Sequence, residues 1–139
     1  MHKTSPILVA EDNDDDFSLF RRAVRAGGVE NPVLRFRDGS EMIDFISKLN
    51  PRDTPQAEPW LAFIDIGMPI MSGFEVLEWI QHKGSKLNLL PIILTGSSSS
   101  DDMKRAFALG AYEYLVKPIA PAVFAALAIR PISQKASAA

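Results

Sequence analysis

The chain has 139 residues, 47% hydrophobic and 23% charged, the balance of one globular domain able to bury roughly two-thirds of its unfolded surface, and not that of a disordered chain. Fifteen Lys and Arg against seventeen Asp and Glu leave a net charge of −2, which excludes a basic nucleic-acid footprint over the whole chain. The absence of cysteine and the presence of only two histidines exclude a disulfide framework, a thiol nucleophile and a Cys-ligated metal, and leave little for a zinc site.

In chain order, short apolar runs alternate with amphipathic stretches. Ile7-Leu8-Val9-Ala10 is a strand candidate, too short for a signal peptide. After the acids that follow it, Phe17, Phe20 and Val24 fall at i, i+3, i+7, a helix face that ends at Gly27-Gly28. Val33-Leu34-Arg35-Phe36 is a second strand, Asp38-Gly39-Ser40 turns the chain, and Met42, Phe45, Ile46 and Leu49 form a helical stripe closed by Pro51. The polar stretch Asn50 to Pro59, with three prolines, reads as a loop of its own, at its plainest a solvated insertion. Trp60 to Ile64 is an uncharged third strand, and Gly73, Val76, Leu77 and Ile80 mark a third helix. Ile92-Ile93-Leu94 is a fourth strand. Ser98 to Asp102 form a capped, acid-rich helix start ahead of Met103, Ala106 and Phe107. Tyr112 to Val116 is a fifth strand, and Pro121 opens a last helix, Ala122 to Arg130, stopped by Pro131. No apolar run reaches the ~18 residues of a membrane span, so the expectation is a cytoplasmic protein.

Five strands each followed by a helix predict an α/β fold, a doubly wound parallel sheet with helices on both faces. Strands one, three and four carry no charge and belong in the centre; Arg35 and Glu113 mark strands two and five as edges. Right-handed crossovers then give the order 2-1-3-4-5, with a ligand cleft at the carboxyl ends of strands one and three. The expected division is a domain over residues 1–131 and a flexible tail over 132–139.

Placed side by side, the strand ends carry chemistry. Glu11-Asp12 follows strand one, Asp65 strand three, Thr95 strand four and Lys117-Pro118 strand five. Three carboxylates in one cleft raise one another's proton affinity, and either a cation such as Lys117 or a hard metal ion is needed to hold them ionised. An oxygen-rich site with few side-chain ligands suits Mg²⁺ better than zinc or calcium. Asn13 or Asp14 as N-cap, with Asp15 and Asp16 on the helix dipole, accounts for the next acids without a metal role.

Four segments, Ile7 to Asn13, Phe63 to Gly73, Ile93 to Gly96 and Tyr114 to Pro118, together resemble the receiver domain of two-component response regulators, from about Ile7 to Arg130. The resemblance implies the flavodoxin-like receiver fold and a regulator, not an enzyme, that takes part in its own Mg²⁺-dependent phosphorylation and dephosphorylation. It implies Asp65 as phosphoacceptor. Glu11, Asp12, Asp65 and the backbone carbonyl of Gly67 match the Mg²⁺ site, with Asp12 a direct ligand and Glu11 acting mainly through water. Thr95 and Lys117 match the phosphoryl-binding hydroxyl and ammonium, Thr95 and Tyr114 the switch, and Lys117-Pro118 a cis peptide. The implied partners are a sensor histidine kinase or a histidine phosphotransfer protein, and a second copy docking through the fourth helix, fifth strand and last helix. The long Asp12-to-Asp65 spacing is similar to single-domain receivers that serve phytochrome-type kinases. No DNA-binding domain, nucleotide site or membrane segment is expected.

Three other readings are weighed against this. An aspartyl-phosphate phosphatase of the haloacid-dehalogenase type wants an acid two residues after its nucleophile, where Gly67 stands. A nucleotide or flavin binder wants a Gly-rich or hydroxyl-rich loop after strand one, where Glu11-Asp12-Asn13-Asp14 would repel phosphate. A phosphate-independent interaction module would not need the full set of polar strand ends.

Overall fold

Strand and helix alternate strictly through residues 5–129, the part of the chain that the computed structural model describes. The elements are β1 (Ile7–Ala10), α1 (Asp14–Ala26), β2 (Val33–Phe36), α2 (Gly39–Ser47), β3 (Trp60–Asp65), α3 (Gly73–His82), β4 (Leu89–Thr95), α4 (Ser100–Ala108), β5 (Glu113–Val116) and α5 (Pro121–Ile129). All strand pairs are parallel and the order is β2-β1-β3-β4-β5, as expected from the charge pattern. Pro131 and the tail over 132–139 lie outside the described residues.

The period of two along each strand sorts the core into two layers. Ile7, Val9, Leu61, Phe63, Ile92 and Leu94 face α1 and α5, where Phe20, Val24, Phe124 and Leu127 cover them. Leu8, Ala10, Ala62, Ile64 and Ile93 face the other way, onto Met42, Ile46, Val76, Leu77 and Ala106 of α2, α3 and α4. Phe20, Phe63 and Phe124 stack edge-on or tilted, with ring centroids 5.0–5.6 Å apart, and so lock α1 and α5 against the centre of β3.

Helix starts follow the cap chemistry. Asn13, Asp38, Ser72 and Ser99 each accept the backbone N–H three residues on. The sequence reading is corrected in three places. α2 ends at Ser47 rather than running to Pro51. β4 begins at Leu89, three residues before the expected Ile92, and contains Pro91. A proline fits there because the side of Pro91 whose carbonyl takes the Tyr112 N–H, at 2.7 Å, lies beyond the start of β5, so no strand partner loses a donor. The Asn50–Pro59 stretch is also more than a solvated insertion. Thr54 is buried; its hydroxyl accepts the Asn88 N–H at 2.8 Å, and the Asn88 amide donates to the Pro55 and Gln56 carbonyls, each at 3.0 Å. The stretch is stitched to the start of β4.

The connection from β3 to α3 is strained. Met71 donates its N–H to the Pro69 carbonyl at 2.7 Å, and Ile70 between them has a φ of 68°, a region a β-branched residue rarely enters. Ile70 is also 85% exposed, so packing does not offset the strain. Such a residue costs ~1–3 kcal/mol, whereas glycine costs ~0.5–1 kcal/mol of unfolded-chain entropy. Ile70→Gly is therefore expected to stabilise the protein by ~1 kcal/mol, a rise of roughly 3 °C in melting temperature. Ile70→Val, which keeps the strain, should melt with the parent.

Candidate functional site

The carboxyl ends of the strands deliver the site. The Glu11 N–H donates to the Phe36 carbonyl at 2.9 Å, which extends the β1–β2 ladder one residue past β1 and holds Glu11 in place. Asp65 is the last residue of β3 and Thr95 the last of β4. The Lys117 N–H donates to the Thr95 carbonyl at 2.7 Å, which fixes the end of β5 beside β4, and the Lys117–Pro118 peptide is cis. Glycine is required at one nearby position: a Cβ on Gly73 would come within 2.6 Å of the Asp65 carbonyl oxygen. That close approach seats the start of α3 directly against the chain that carries Asp65.

Lys117 is the centre of the arrangement. Its ammonium donates to Glu11 Oε1 at 2.5 Å, to Asp16 Oδ2 at 2.9 Å and to Asp65 Oδ2 at 3.0 Å. Three carboxylates thus occupy the three N–H donors of one ammonium. The second oxygens are also engaged: Asp65 Oδ1 takes the Gly67 N–H at 3.0 Å and Glu11 Oε2 the Asn13 N–H at 3.2 Å. Asp12 is exposed, yet one oxygen from each of Glu11, Asp12 and Asp65 lies within 4.8 Å of the others. This all-oxygen donor set could hold a hard divalent cation that keeps several of its waters.

The electrostatics follow from burial. Glu11 is 1% exposed. Burial pushes its carboxyl up, the hydrogen bond from Lys117 pulls it down, and the neighbouring Asp65 pushes it up again, to about 7. Burial acts downward on the Lys117 ammonium, but its bonds to Glu11, Asp16 and Asp65 outweigh this and leave it well above its ordinary value. Lys117 is thus a fixed positive charge, while Glu11 is the group able to exchange a proton near neutrality.

Thr95 and Tyr114 lie to one side of this cluster. Thr95 is buried, and its hydroxyl oxygen accepts the Ser97 N–H at 3.1 Å. Tyr114 is buried, packed in the α2–α3–α4 layer, with its hydroxyl donating to the Ser97 carbonyl at 2.9 Å. Ser97 thereby links the two. The serines after Thr95 serve the start of α4: Ser99 caps it, and the Ser97 hydroxyl bonds Asp102 at 2.9 Å.

Sequence reasoning missed two partners. It offered Asp14 as an alternative N-cap and gave Asp16 to the helix dipole, but Asp16 reaches Lys117, and Asp14 pairs with Arg35 at 2.8 Å and Arg37 at 3.1 Å. Arg35, expected only as an edge marker, turns inward, with 15% of its side chain exposed. The i, i+2 spacing of Asp14 and Asp16 could have signalled this, since residues two apart on a helix point in nearly opposite directions.

Comparison with known proteins bears on this geometry. A sequence model of the family described as "Response regulator receiver domain" matches residues 7–128. The probable methanogenesis regulatory protein FilR2 of Methanothrix harundinacea is 32% identical over 114 residues, 81% of this chain and 72% of that protein. The polar-differentiation response regulator DivK of Brucella ovis is 29% identical over 116 residues, 84% of this chain and 86% of that one. Among solved structures, the bacteriophytochrome response regulator RtBRR superimposes with a TM-score of 0.73 at 28% identity, covering 90% of this chain and 76% of that chain. Among the described residues no helix is long and apolar enough to cross a membrane.

The position of Glu11 makes stability pH-dependent in a stated direction. The folded chain keeps the Glu11 proton up to about 7, whereas the unfolded chain releases it near 4.5. The folded state therefore binds more protons across that window, and the unfolding free energy falls as pH rises through it. Urea midpoints in chelator should show the parent losing ~2 kcal/mol relative to Glu11→Gln between about pH 5 and about pH 8. Parallel pH profiles for the two proteins would assign the titration to another group.

Proposed function

The chain belongs to the response regulator receiver family, and from that premise we propose that it works by accepting a phosphoryl group on Asp65 from a phosphohistidine of a partner kinase or phosphotransfer protein. The observation that carries this reading is the Lys117 ammonium bonded to both Asp65 and Glu11 at the carboxyl ends of the strands, with Asp12 in reach. In the transfer, a carboxylate oxygen of Asp65 forms the new O–P bond, the P–N bond of the phosphohistidine breaks, and the imidazole nitrogen leaves with that electron pair. Glu11, Asp12, Asp65 and the Gly67 carbonyl would hold Mg²⁺, with Asp12 a direct ligand and Glu11 acting through water. When bound, the metal supplies charge neutralisation for the attacking and incoming oxygens.

The protein's own groups do the rest. Lys117, held charged by its three partners, is placed to follow the phosphoryl oxygen as charge accumulates there. The Gly67 N–H on Asp65 Oδ1 fixes the rotation of the carboxylate, so the nucleophile is oriented before the partner arrives. The acyl phosphate then offers new acceptor oxygens. Thr95 leaves the Ser97 N–H to reach them, and the Ser97 segment, which also holds the Tyr114 hydroxyl, moves with it. The signal surface is the α4–β5 face, where Phe107 and Val116 are exposed, and a second copy or a downstream partner reads it there.

Access for the partner is supported by a cavity of about 550 Å³ beside the site. Glu11, Asp16 and Lys117 form its polar end, and Leu19, Ala23 and Ile119 its apolar wall. The 28% identity to a bacteriophytochrome response regulator points the partner search to phytochrome-type histidine kinases. Phosphatase chemistry finds no support: the position two residues after Asp65 is Gly67, which offers no general acid.

Incubation with acetyl phosphate and Mg²⁺ should add one phosphoryl group, mapped to Asp65. Asp65→Asn should remain unlabelled, and Lys117→Ala should slow labelling by roughly 10²–10³-fold, the usual cost of losing one charge-stabilising donor. Stoichiometric labelling of Asp65→Asn at the parent rate would overturn the assignment, and multiple turnover of the donor would favour the phosphatase reading.

A further inference from the structure

The β1–α1 turn presents Glu11 and Asp12, and Lys117 holds it from the β5 side. On the β2 side the Phe36 carbonyl takes the Glu11 N–H, Arg37 meets Asp14 from the surface, and Arg35 makes the remaining contacts. Arg35 donates from Nε to the Glu11 carbonyl at 3.0 Å, pairs through Nη1 with Asp14 at 2.8 Å, and lies over the Phe17 ring at 4.8 Å. These contacts bracket Asp12: one lies just before it in the chain, the others just after. The planar fork of a guanidinium holds two points of a turn at a fixed angle to each other, whereas an ammonium on a flexible stem sets its partners in no fixed plane.

Arg35 Nη2 is buried with no hydrogen-bond partner, a cost that an apolar side chain at this position would not carry. Its contacts converge on the backbone that carries the acidic pair. Partners one step removed from a metal ligand orient it and are commonly worth 10–100-fold in affinity.

We propose that Arg35 is a positioning residue of the acidic pocket: it fixes the Glu11–Asp14 turn, and through it the Asp12 carboxylate, and thereby sets the affinity for a divalent cation. This rests on reading Glu11, Asp12 and Asp65 as a cation site.

The sign of the effect separates positioning from simple charge. Removing a nearby positive charge should by Coulomb's law tighten the binding of Mg²⁺; losing the brace should weaken it. Isothermal titration of the unphosphorylated protein with MgCl₂ decides between them. Arg35→Met is expected to bind about tenfold more weakly than the parent. Arg35→Lys keeps the charge and loses the fork, so it covers the case in which Arg35→Met fails to fold, and it too is expected to bind several-fold more weakly. Arg37→Gln, which removes only the exposed partner of Asp14, is expected to bind no more weakly than the parent. Affinity equal to or tighter than the parent in a folded Arg35→Met or in Arg35→Lys overturns the proposal. If the parent binds saturably and Asp12→Asn does not, that failure belongs to Arg35 alone; if the parent itself shows no saturable binding, the cation-site reading falls and this proposal with it.

Discussion

One ammonium group ties the molecule's ends together. Lys117 follows the last strand, Glu11 follows the first, Asp65 ends the central strand, and Asp16 stands in the first turn of α1; all three carboxylates meet on Lys117 Nζ. Glu11 and Lys117 are 106 residues apart in the chain, so this contact exists only when the whole sheet is in register. Without Lys117, a 1% exposed Glu11 would be an uncompensated buried charge, a situation that costs several kcal/mol or drives protonation. The site is thus a product of completed folding, and any event that changes the demands on Lys117 is felt on β1, β3, β5 and α1 together.

The same contact explains why the pocket is poised to take a cation. Burial and the neighbouring Asp65 raise the Glu11 carboxyl, Lys117 offsets only part of that rise, and the group lies at about 7. The pocket therefore carries unmet demand for positive charge, and a divalent cation meets it with the three oxygens within 4.8 Å of one another. A divalent ion on Glu11, Asp12 and Asp65 would weaken the pull of Glu11 and Asp65 on Lys117, which leaves Asp16, outside the acidic trio, to keep the ammonium near. Lys117 would then be free to turn without losing its position.

Much of this was legible in the sequence. The strand count, their order and the identity of the strand-end residues follow from apolar runs, charge placement and punctuation, because a parallel sheet with both faces covered admits few arrangements. The same logic places Glu11, Asp12, Asp65 and Lys117 together. The pattern hides what depends on side-chain direction. Arg35 looks like an edge charge, but its strand lies beside β1, and an inward turn finds the Glu11 carbonyl. Thr54 looks like a loop residue, but Asn88 anchors it. The inward seat of Tyr114 and the left-handed turn at Ile70 are tertiary outcomes with no local signal: an aromatic at a strand end can point either way, and an isoleucine is the last residue composition would place at positive φ.

The first turn of α1 completes the arrangement. Asp14 and Asp16 are two positions apart, about 200° around the helix, and each meets a cation from an outer strand of the sheet. Asp14 takes Arg35 of β2; Asp16 takes Lys117 after β5. Both pairs lie at the helix N-terminus, where the dipole favours the acids. The two cations differ in what else they hold. Arg35 contacts the β1–α1 turn, through the Glu11 carbonyl and Asp14, whereas Lys117 is shared with Asp65. A change on Asp65 therefore reaches α1 through Asp16 and not through Asp14. A chemical change on Asp65 that reorients Lys117 would then move the Asp16 edge of α1 while the Asp14 edge stays in place. That motion would open or close the cavity lined by Asp16, Leu19, Ala23 and Ile119, so the space beside the acidic cluster is coupled to the state of Asp65 through Lys117.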